Sequence, residues 1–362
     1  MRKLISILMA ILMVLTISAS SLSAATVTVS TKSAPFSVTM LNVGQGLSIL
    51  VQSNGHNMLY DGGGRDSSSY VVSYLRKHNV KTFDYIVASH YDDDHINGLV
   101  GVLNTANVKK AILPDYTADT RVYRSLQSTV KNKRVPVVHP KRGATYKLGN
   151  AKITVLGPVN YHQQIENNNS IAMRVQYGKF SVIMTGDAEQ EAESAMMSSG
   201  LKLKSDLYVV GHHGSSSSSS RAFLRAIQPS YAFLSVGAYN KYGHPTQKTL
   251  NSLKSAGVKL FRTDKQGEVT AYSDGKKCWF SKKATTDWSA GDKAAAQASY
   301  SSTPVSGQKK STQYVLNKSS KKFHRPNCPS VKQMKAKNRV YTNASRSTLI
   351  KQGYKPCANC KP

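Results

Sequence analysis

The chain of 362 residues carries 49 lysines and arginines against 19 aspartates and glutamates, a formal net charge of +30, and 40% of it is hydrophobic. That apolar share supports a full core and excludes a disordered polymer, while the charge makes a polyanion the expected partner, either nucleic acid or an anionic cell-wall polymer. Four cysteines so placed do not read as a disulfide framework: Cys278 stands alone, and Cys328, Cys357 and Cys360 crowd the last 35 residues.

In chain order, Arg2 and Lys3 precede an apolar run from Leu4 to about Ile17 and then the small residues SASSLSAA, the pattern of a secretory signal peptide over residues 1–25. Its removal leaves a charge of +28 and a protein expected to be secreted, extracellular or associated with the cell wall. No stable membrane span is expected, since the run is short and no later stretch replaces it. Residues 35–64 alternate strand-like runs (SVTMLNVG, LSILVQS, NMLYDGGG) with glycine turns, and residues 67–78 have helical spacing. FDYIVAS reads as a buried strand and INGLVGVLNT as a helix, with HYDDDH between them. Strand and helix signals then alternate through KAILP, RVYRSLQSTV, KITVLGP, SIAMRVQYG, FSVIMTGD, a helix over 189–197, DLYVVGHH, RAFLRAIQ, YAFLSVG, TQKTLNSLKSAG, KLFRT and GEVTAYS. Two β-rich blocks, each with helices, predict an α/β fold over residues 36–281: a two-sheet sandwich with helices on both outer faces. Residues 282–312 turn to Ala, Ser, Thr, Gly, Gln and Lys, a flexible linker by composition. Residues 313–362 form a second unit with twelve Lys or Arg and no Asp or Glu.

HYDDDH puts two histidines and three aspartates into six residues at a strand-to-helix junction. The spacing His90-x-Asp92-x-Asp94-His95 lets alternate residues of a tight loop face two cations, the arrangement that serves a displacement at a phosphate or ester. Further ligands come from other strand ends: Asp187 closes FSVIMTGD, His212 and His213 follow DLYVVG, and His244 lies in NKYGHP. Singly, each reads as an ordinary capping aspartate or loop histidine; together, four polar strand ends point to one site.

HYDDDH, TGD, HHGS and YGHP, in that order, resemble the metallo-β-lactamase superfamily, whose usual motif is HxHxDH. The most similar branch is the β-lactamase-like domain of the DNA-uptake channel protein ComEC, with LNVGQG, DGG, SHxDxDH, NxxS, TGD, HHGS and GHP, and the resemblance covers about residues 36–275. It implies an αββα sandwich holding two divalent metal ions, zinc or manganese. His90, Asp92 and one histidine of the HHG pair would hold the first, Asp94, His95 and His244 the second, and Asp187 would bridge. His213 is favoured over His212 because neighbours leaving a strand point to opposite sides and the distal one reaches further. His212 then backs the ligands or gives a proton to the leaving group, so that Asp94, His212 and His213 are the expected catalytic residues. Asp92 stands where many members have histidine, which adds oxygen character and admits manganese beside zinc. Leu47 stands where the branch has an aspartate, and Asn97 where it has a glycine. Asn168, Asn169 and Ser170 match NxxS and are expected near a substrate phosphate, unless they only form a turn. The serines from Ser215 to Ser220 read as a flexible loop at the cleft rim, with Ser215 a substrate contact.

The tail offers His324-x3-Cys328 and Cys357-x2-Cys360, a tetrahedral structural zinc site in a unit too small for its own core, with a disulfide among the same cysteines as the alternative. The segment resembles the zinc-binding domain of the Ada DNA-repair protein family, which contacts the DNA backbone. The family's methyl-accepting cysteine is here His324, so that transfer is excluded. Lys321, Lys322, Arg325, Arg339 and Arg346 are the expected phosphate contacts. The leading expectation is a secreted phosphodiesterase acting on DNA. The alternatives are a phosphodiesterase of wall polymers such as teichoic acid, a hydrolase of small esters or lactones, and a non-catalytic extracellular DNA-capture protein.

Overall fold

The computed structural model describes residues 34–291 and 314–360 apart from 327, 343, 345–348 and 351, so the expected signal peptide, residues 292–312 of the expected linker and Arg346 lie outside the described residues. The chain divides into two compact units, residues 1–299 and 300–362.

In the first unit, alternating apolar residues build two sheets. One runs, strand by strand, Cys278–Phe280, Val269–Ser273, Phe36–Met40, Ile49–Ser53, His56–Tyr60, Tyr85–Val87, Ala111–Ile112 and Val137–Val138. The other runs Lys259–Arg262, Tyr231–Leu234, Leu207–Val209, Phe180–Met184, Ala172–Tyr177, Ala151–Gly157 and Thr145–Leu148. Their inner faces share one core in which Phe36, Val38 and Met58 of the first sheet pack with Ile153, Val182 and Phe233 of the second. On the outer side of the first sheet, Leu50, Leu59 and Ile86 bury the apolar faces of helices Ser68–Lys77, Asp93–Thr105 and Arg121–Asn132. On the outer side of the second, Ile183, Tyr208 and Leu260 do the same for Gln190–Met197, Arg221–Ile227 and Gln247–Ser255. The result is the expected αββα sandwich.

The strands that matter for the site share a direction. His56–Tyr60 pairs parallel with Tyr85–Val87, and Phe180–Met184, Leu207–Val209 and Tyr231–Leu234 are mutually parallel. Their C-terminal ends therefore lie along one edge of each sheet, where loops are held by a rigid frame. Hydrogen bonds stitch the two edges together: Tyr60 Oη donates to the Ile171 carbonyl at 2.7 Å, Ile171 N to the Ser89 carbonyl at 2.8 Å, and Ser235 Oγ to the Gly46 carbonyl at 2.7 Å. Close backbone approach fixes the first helix of the site, since a Cβ on Gly98 would sit 1.9 Å from the Gly62 carbonyl oxygen.

The stretch expected to open a linker at Lys282 stays on the first unit as far as Gly291. Thr285 N donates to the Leu260 carbonyl, Gly291 N to the Pro245 carbonyl, and Trp288 packs against the outer core. Fully buried Arg262 holds Asp264 through two nitrogens, at 2.9 and 2.7 Å, and donates to the carbonyls of Asp287 and Ser289. A composition poor in large apolar residues conceals this docking because backbone carbonyls carry most of it.

The second unit is a four-stranded sheet ordered Arg339–Thr342, Tyr314–Asn317, Lys322–His324 and Lys355–Pro356. Leu316, Phe323 and Leu349 fill one side, and Val315, Val331 and Met334 pack with Cys328 and Cys357 on the other. Among the described residues no helix is long and apolar enough to cross a membrane.

Candidate active site

The HYDDDH segment begins after strand Tyr85–Val87, and its second half is already helix, because Asp93–Thr105 starts one residue after Asp92. Acidic residues suit the positive end of a helix, which is why the helix begins earlier than its apolar spacing indicates. His90 and His95 are fully buried, Asp187 is 4% and His213 3% exposed, whereas the Asp94 and Asp92 side chains are 33% and 46% exposed. Asp93 faces solvent.

Two groups of ligand atoms converge: His90, His95 and Asp187, and Asp94, His95 and His213, each within 4.8 Å of one another. His95 Nε2 lies 3.3 Å from Asp187 Oδ1 and 3.2 Å from His213 Nε2. His213 Nε2 lies 3.4 Å from Asp94 Oδ2 and 3.5 Å from Asp187 Oδ2, and His90 Nε2 is 3.6 Å from Asp92 Oδ2.

The hydrogen bonds behind the rings fix which nitrogen faces inward. Asp61 is fully buried and accepts from Ser89 N at 2.7 Å, Ser89 Oγ at 2.7 Å and His95 Nδ1 at 2.8 Å. His213 Nδ1 donates to the Ser235 carbonyl at 3.1 Å, which can only accept. Ser89 Oγ, having given its proton to Asp61, accepts from His90 Nδ1 at 3.0 Å. All three imidazoles thus carry their proton on Nδ1 and turn an Nε2 lone pair toward the space shared with Asp187, the state a cation requires. Two buried atoms there, His90 Nε2 and Asp187 Oδ1, have no hydrogen-bond partner. Lone pairs and carboxylates converging without donors fit divalent cations.

The charges shift one another accordingly. Burial opposes a proton on His95, but the Asp187 and Asp61 carboxylates outweigh it and raise the imidazole well above its ordinary value. His213 is raised in the same way, burial being overcome by Asp187 and Asp94. Burial pushes the Asp187 and Asp94 carboxyls up, and the neighbouring histidines hold both below the usual carboxylate range. The cluster selects positive charge, as protons on His95 and His213 or as cations in their place.

The backbone places these groups at some cost. Asp61, His212 and His213 have φ of 59°, 50° and 52°, left-handed conformations worth about 1–2 kcal/mol of strain each for such residues. The His212–His213 pair is therefore a tight turn, Gly211–Gly214, and not an extended strand end. This changes the expected reach: His213 swings to Asp94 and His95 and away from the His90–Asp92 pair. His212 keeps its Nδ1 3.2 Å from Ser217 Oγ and 3.5 Å from Glu189 Oε1, with Nε2 3.7 Å from Asp187 Oδ2. Burial lowers its pKa, against the pull of Asp187. His244 belongs to neither ligand group; its ring lies 5.6 Å from that of His212 and stacks at 5.5 Å on Tyr242.

Several expected substrate contacts have other work. Ser170 Oγ accepts from Asp187 N at 3.2 Å and lies 3.5 Å from His90 Nδ1, so it positions two site residues from behind. Asn169 Oδ1 accepts from Gln163 N at 3.0 Å. The serine run is bound in place: Ser215 Oγ pairs with Ser217 Oγ, Ser218 Oγ donates to the Ala188 carbonyl, Ser219 Oγ pairs with Tyr208 Oη, and Ser220 caps Arg221–Ile227. Glu193, 1% exposed, accepts from the backbone nitrogens of Ser219 and Ser220. Asp61 and Ser89 are the residues sequence reasoning left without a role; the aspartate of DGGG, at the end of a strand, was the available signal.

In the second unit His324, Cys328, Cys357 and Cys360 bring their ligand atoms within 4.8 Å. His324 is 4% exposed with neither ring nitrogen hydrogen-bonded, the cysteines are free thiols, and Arg325 N donates to Cys360 Sγ at 3.4 Å. This donor set fits a structural zinc ion. Of the expected phosphate contacts, Arg339 spends Nη2 on the carbonyls of Val331 and Met334, at 2.7 and 2.8 Å, and Arg325 Nε donates to the Cys360 carbonyl at 3.2 Å. Lys321 lies 5.0 Å over the Tyr354 ring, and Lys322 is exposed on its strand.

The sequence profile of the Metallo-beta-lactamase superfamily matches residues 41–238. The chain belongs to this superfamily. Its fold is that of metal-dependent hydrolases. Among curated relatives, ComE operon protein 3 of Bacillus subtilis (strain 168) is 29% identical over 251 residues, covering 64% of this chain and 32% of that protein. Competence protein ComA of Neisseria gonorrhoeae is 30% identical over 236 residues, covering 64% and 31%. Recombination protein 2 of Haemophilus influenzae is 28% identical over 237 residues, covering 64% and 28%. The chain thus spans under a third of the length of each of these relatives.

Proposed function

We propose that the protein is a secreted phosphodiesterase that cuts DNA with the help of two divalent cations, zinc or manganese, and that its basic C-terminal unit, folded around zinc, holds the polymer by its backbone. The observation that carries the hydrolase half is the convergence of three Nε2 lone pairs on Asp187, each set by a hydrogen bond to the opposite ring nitrogen. His90, Asp92, Asp94, His95 and His213 would hold the cations, with Asp187 shared between them. Bound there, the cations supply Lewis acidity at phosphorus. The chain's own groups do the rest. Asp61, Ser89 and the Ser235 carbonyl keep the imidazoles oriented. His212, its Nδ1 engaged by Ser217 and Glu189, turns Nε2 to the site; as the doubly protonated imidazolium it would give the departing oxygen a proton, which the attacking water restores. DNA as substrate is supported by the net charge of +30, by twelve basic and no acidic residues in the tail, and by two relatives whose names speak of competence and recombination. The signal-like N-terminus supports secretion.

The test incubates the mature protein with single- and double-stranded DNA under Mn²⁺, Zn²⁺ or chelator, beside a His90→Ala, Asp187→Ala double variant. Cation-dependent cleavage lost in the variant is the expected result. Tight, salt-sensitive binding with no cleavage under any cation refutes the nuclease reading.

A further inference from the structure

A cleft of about 720 Å³ opens beside His90, and its walls are tyrosine: Tyr91, Tyr116, Tyr123 and Tyr161, with Asp115 and Glu166 on its polar side. The Tyr91 ring packs against those of Tyr116 and Tyr123, each 4.7 Å away. Two hydroxyls are turned into the protein, from Tyr91 to the Pro114 carbonyl at 2.7 Å and from Tyr161 to the Pro140 carbonyl at 2.5 Å, and that of Tyr116 donates to Glu166 on the cleft rim at 3.0 Å. These rings are thereby fixed; Tyr91 is buried behind the others, and the half-buried rings of Tyr116, Tyr123 and Tyr161 are what a ligand meets. Among the described residues lining this cleft there is no lysine or arginine, in a chain that has 49. Such a wall disfavours phosphate and suits a flat, uncharged ring carrying N–H donors.

Its place beside the site is equally specific. Tyr91 follows His90, and Asn169, also in the lining, precedes Ser170, which holds Asp187 N. Neighbouring Cα atoms are about 3.8 Å apart, so the inner lip of the cleft lies one residue from the ligand cluster. That is within the reach of one nucleotide.

We propose that this cleft is a nucleobase subsite, in which a base stacks on Tyr116 and Tyr123 and donates to Asp115 while the adjoining phosphate enters the His90–Asp187 cluster. The proposal rests on the phosphodiesterase reading and selects its substrate, because a polyol-phosphate wall polymer has no ring to stack. The experiment uses the full chain without added cations and without chelator, so that the C-terminal unit keeps its zinc, and measures, by fluorescence anisotropy, binding of a single-stranded deoxyoligonucleotide and of an abasic oligomer of equal length and charge. The base-bearing strand binds tighter by on the order of tenfold. Tyr123→Ala brings the two affinities together and leaves the abasic one unchanged. Gln127→Trp, which fills the cleft from its half-buried rim, does the same with all four tyrosines kept. Equal binding of both strands by the unaltered chain overturns the proposal, as do variants that weaken both alike, or displacement by an alanine ester or choline where a nucleoside fails. Added cations separate the two readings: cleavage of both strands at one rate overturns the subsite alone, and a base preference with no cleavage overturns the phosphodiesterase alone.

Discussion

Replacing Asp61 by Asn tests the orientation of the cluster with little change of shape. Asparagine matches the aspartate in size and tolerates its φ of 59°, so the backbone is spared. Asp61 meets three donors, Ser89 N, Ser89 Oγ and His95 Nδ1, at 2.7, 2.7 and 2.8 Å. An amide has one acceptor oxygen and presents an NH₂ group to whichever donors remain. With the NH₂ against His95, that imidazole must move its proton to Nε2, which then faces Asp187 and has no lone pair for a cation. That orientation also takes the acceptor from Ser89 Oγ, which shares the same carboxylate oxygen, whereas the NH₂ in the other place meets Ser89 N, donor against donor, and leaves that buried N–H unpaired. Either way at least one charge-assisted hydrogen bond goes, about 1.5–3 kcal/mol. At 1.4 kcal/mol per factor of ten, this is a tenfold to hundredfold loss of cation affinity, the range typical of carboxylates behind metal-bound histidines. Competition with a colorimetric chelator for Zn²⁺ and Mn²⁺, alongside thermal melts, reads both affinity and folding. A cooperative melt with weakened binding is expected. Unchanged affinity for both cations would refute the claim that Asp61 sets the inward nitrogen of His95.

Three further outcomes follow from other parts of the chain. His324→Ala, or a strong chelator, unfolds the C-terminal unit while the melt of the hydrolase unit persists, because a unit of this size needs zinc for its folding energy; differential scanning calorimetry showing no change in the smaller transition contradicts this. Arg262→Met leaves Asp264 buried without its partner and frees the carbonyls of Asp287 and Ser289, so a loss of about 3–5 kcal/mol and faster proteolysis within residues 282–291 are expected, and equal digestion rates count against it. Burial raises the Glu193 carboxyl, against hydrogen bonds from Ser219 and Ser220. A raised folded-state value favours the fold below the unfolded value of about 4.3, and that contribution fades as pH climbs through the folded value. Glu193→Gln removes the titration, so its stability relative to the parent chain should rise with pH across that window in urea melts; a flat difference would show that the loop's two N–H groups fully offset the burial.

The constellation was legible because each of its parts carries a chemical demand that survives in one dimension. A buried strand ending on Asp187, or HYDDDH at the head of a helix, needs cations or donors wherever it folds. What stayed hidden depends on partners that composition does not display. Asp61 looks like any turn aspartate until three donors close on it. His212 and His213 looked extended, and a left-handed turn sent one to Asp94 and left the other beside Glu189. Six consecutive serines suggest flexibility, yet Glu193, Tyr208 and Ala188 give that loop enough partners to fix it. The same logic applies to the basic residues. Counting Arg339 and Arg325 as phosphate contacts treats a guanidinium as free charge, whereas its five donors are also the best match for carbonyls left over at chain turns. Arg339 meets two such carbonyls, and Arg262 holds two more in the other unit. In a protein this basic, the lysines, poor at forked recognition and mostly exposed, are therefore the stronger claimants for a polyanion, and the salt dependence of DNA binding should follow lysine substitutions such as Lys322→Ala more closely than Arg339→Ala, which acts first on the fold.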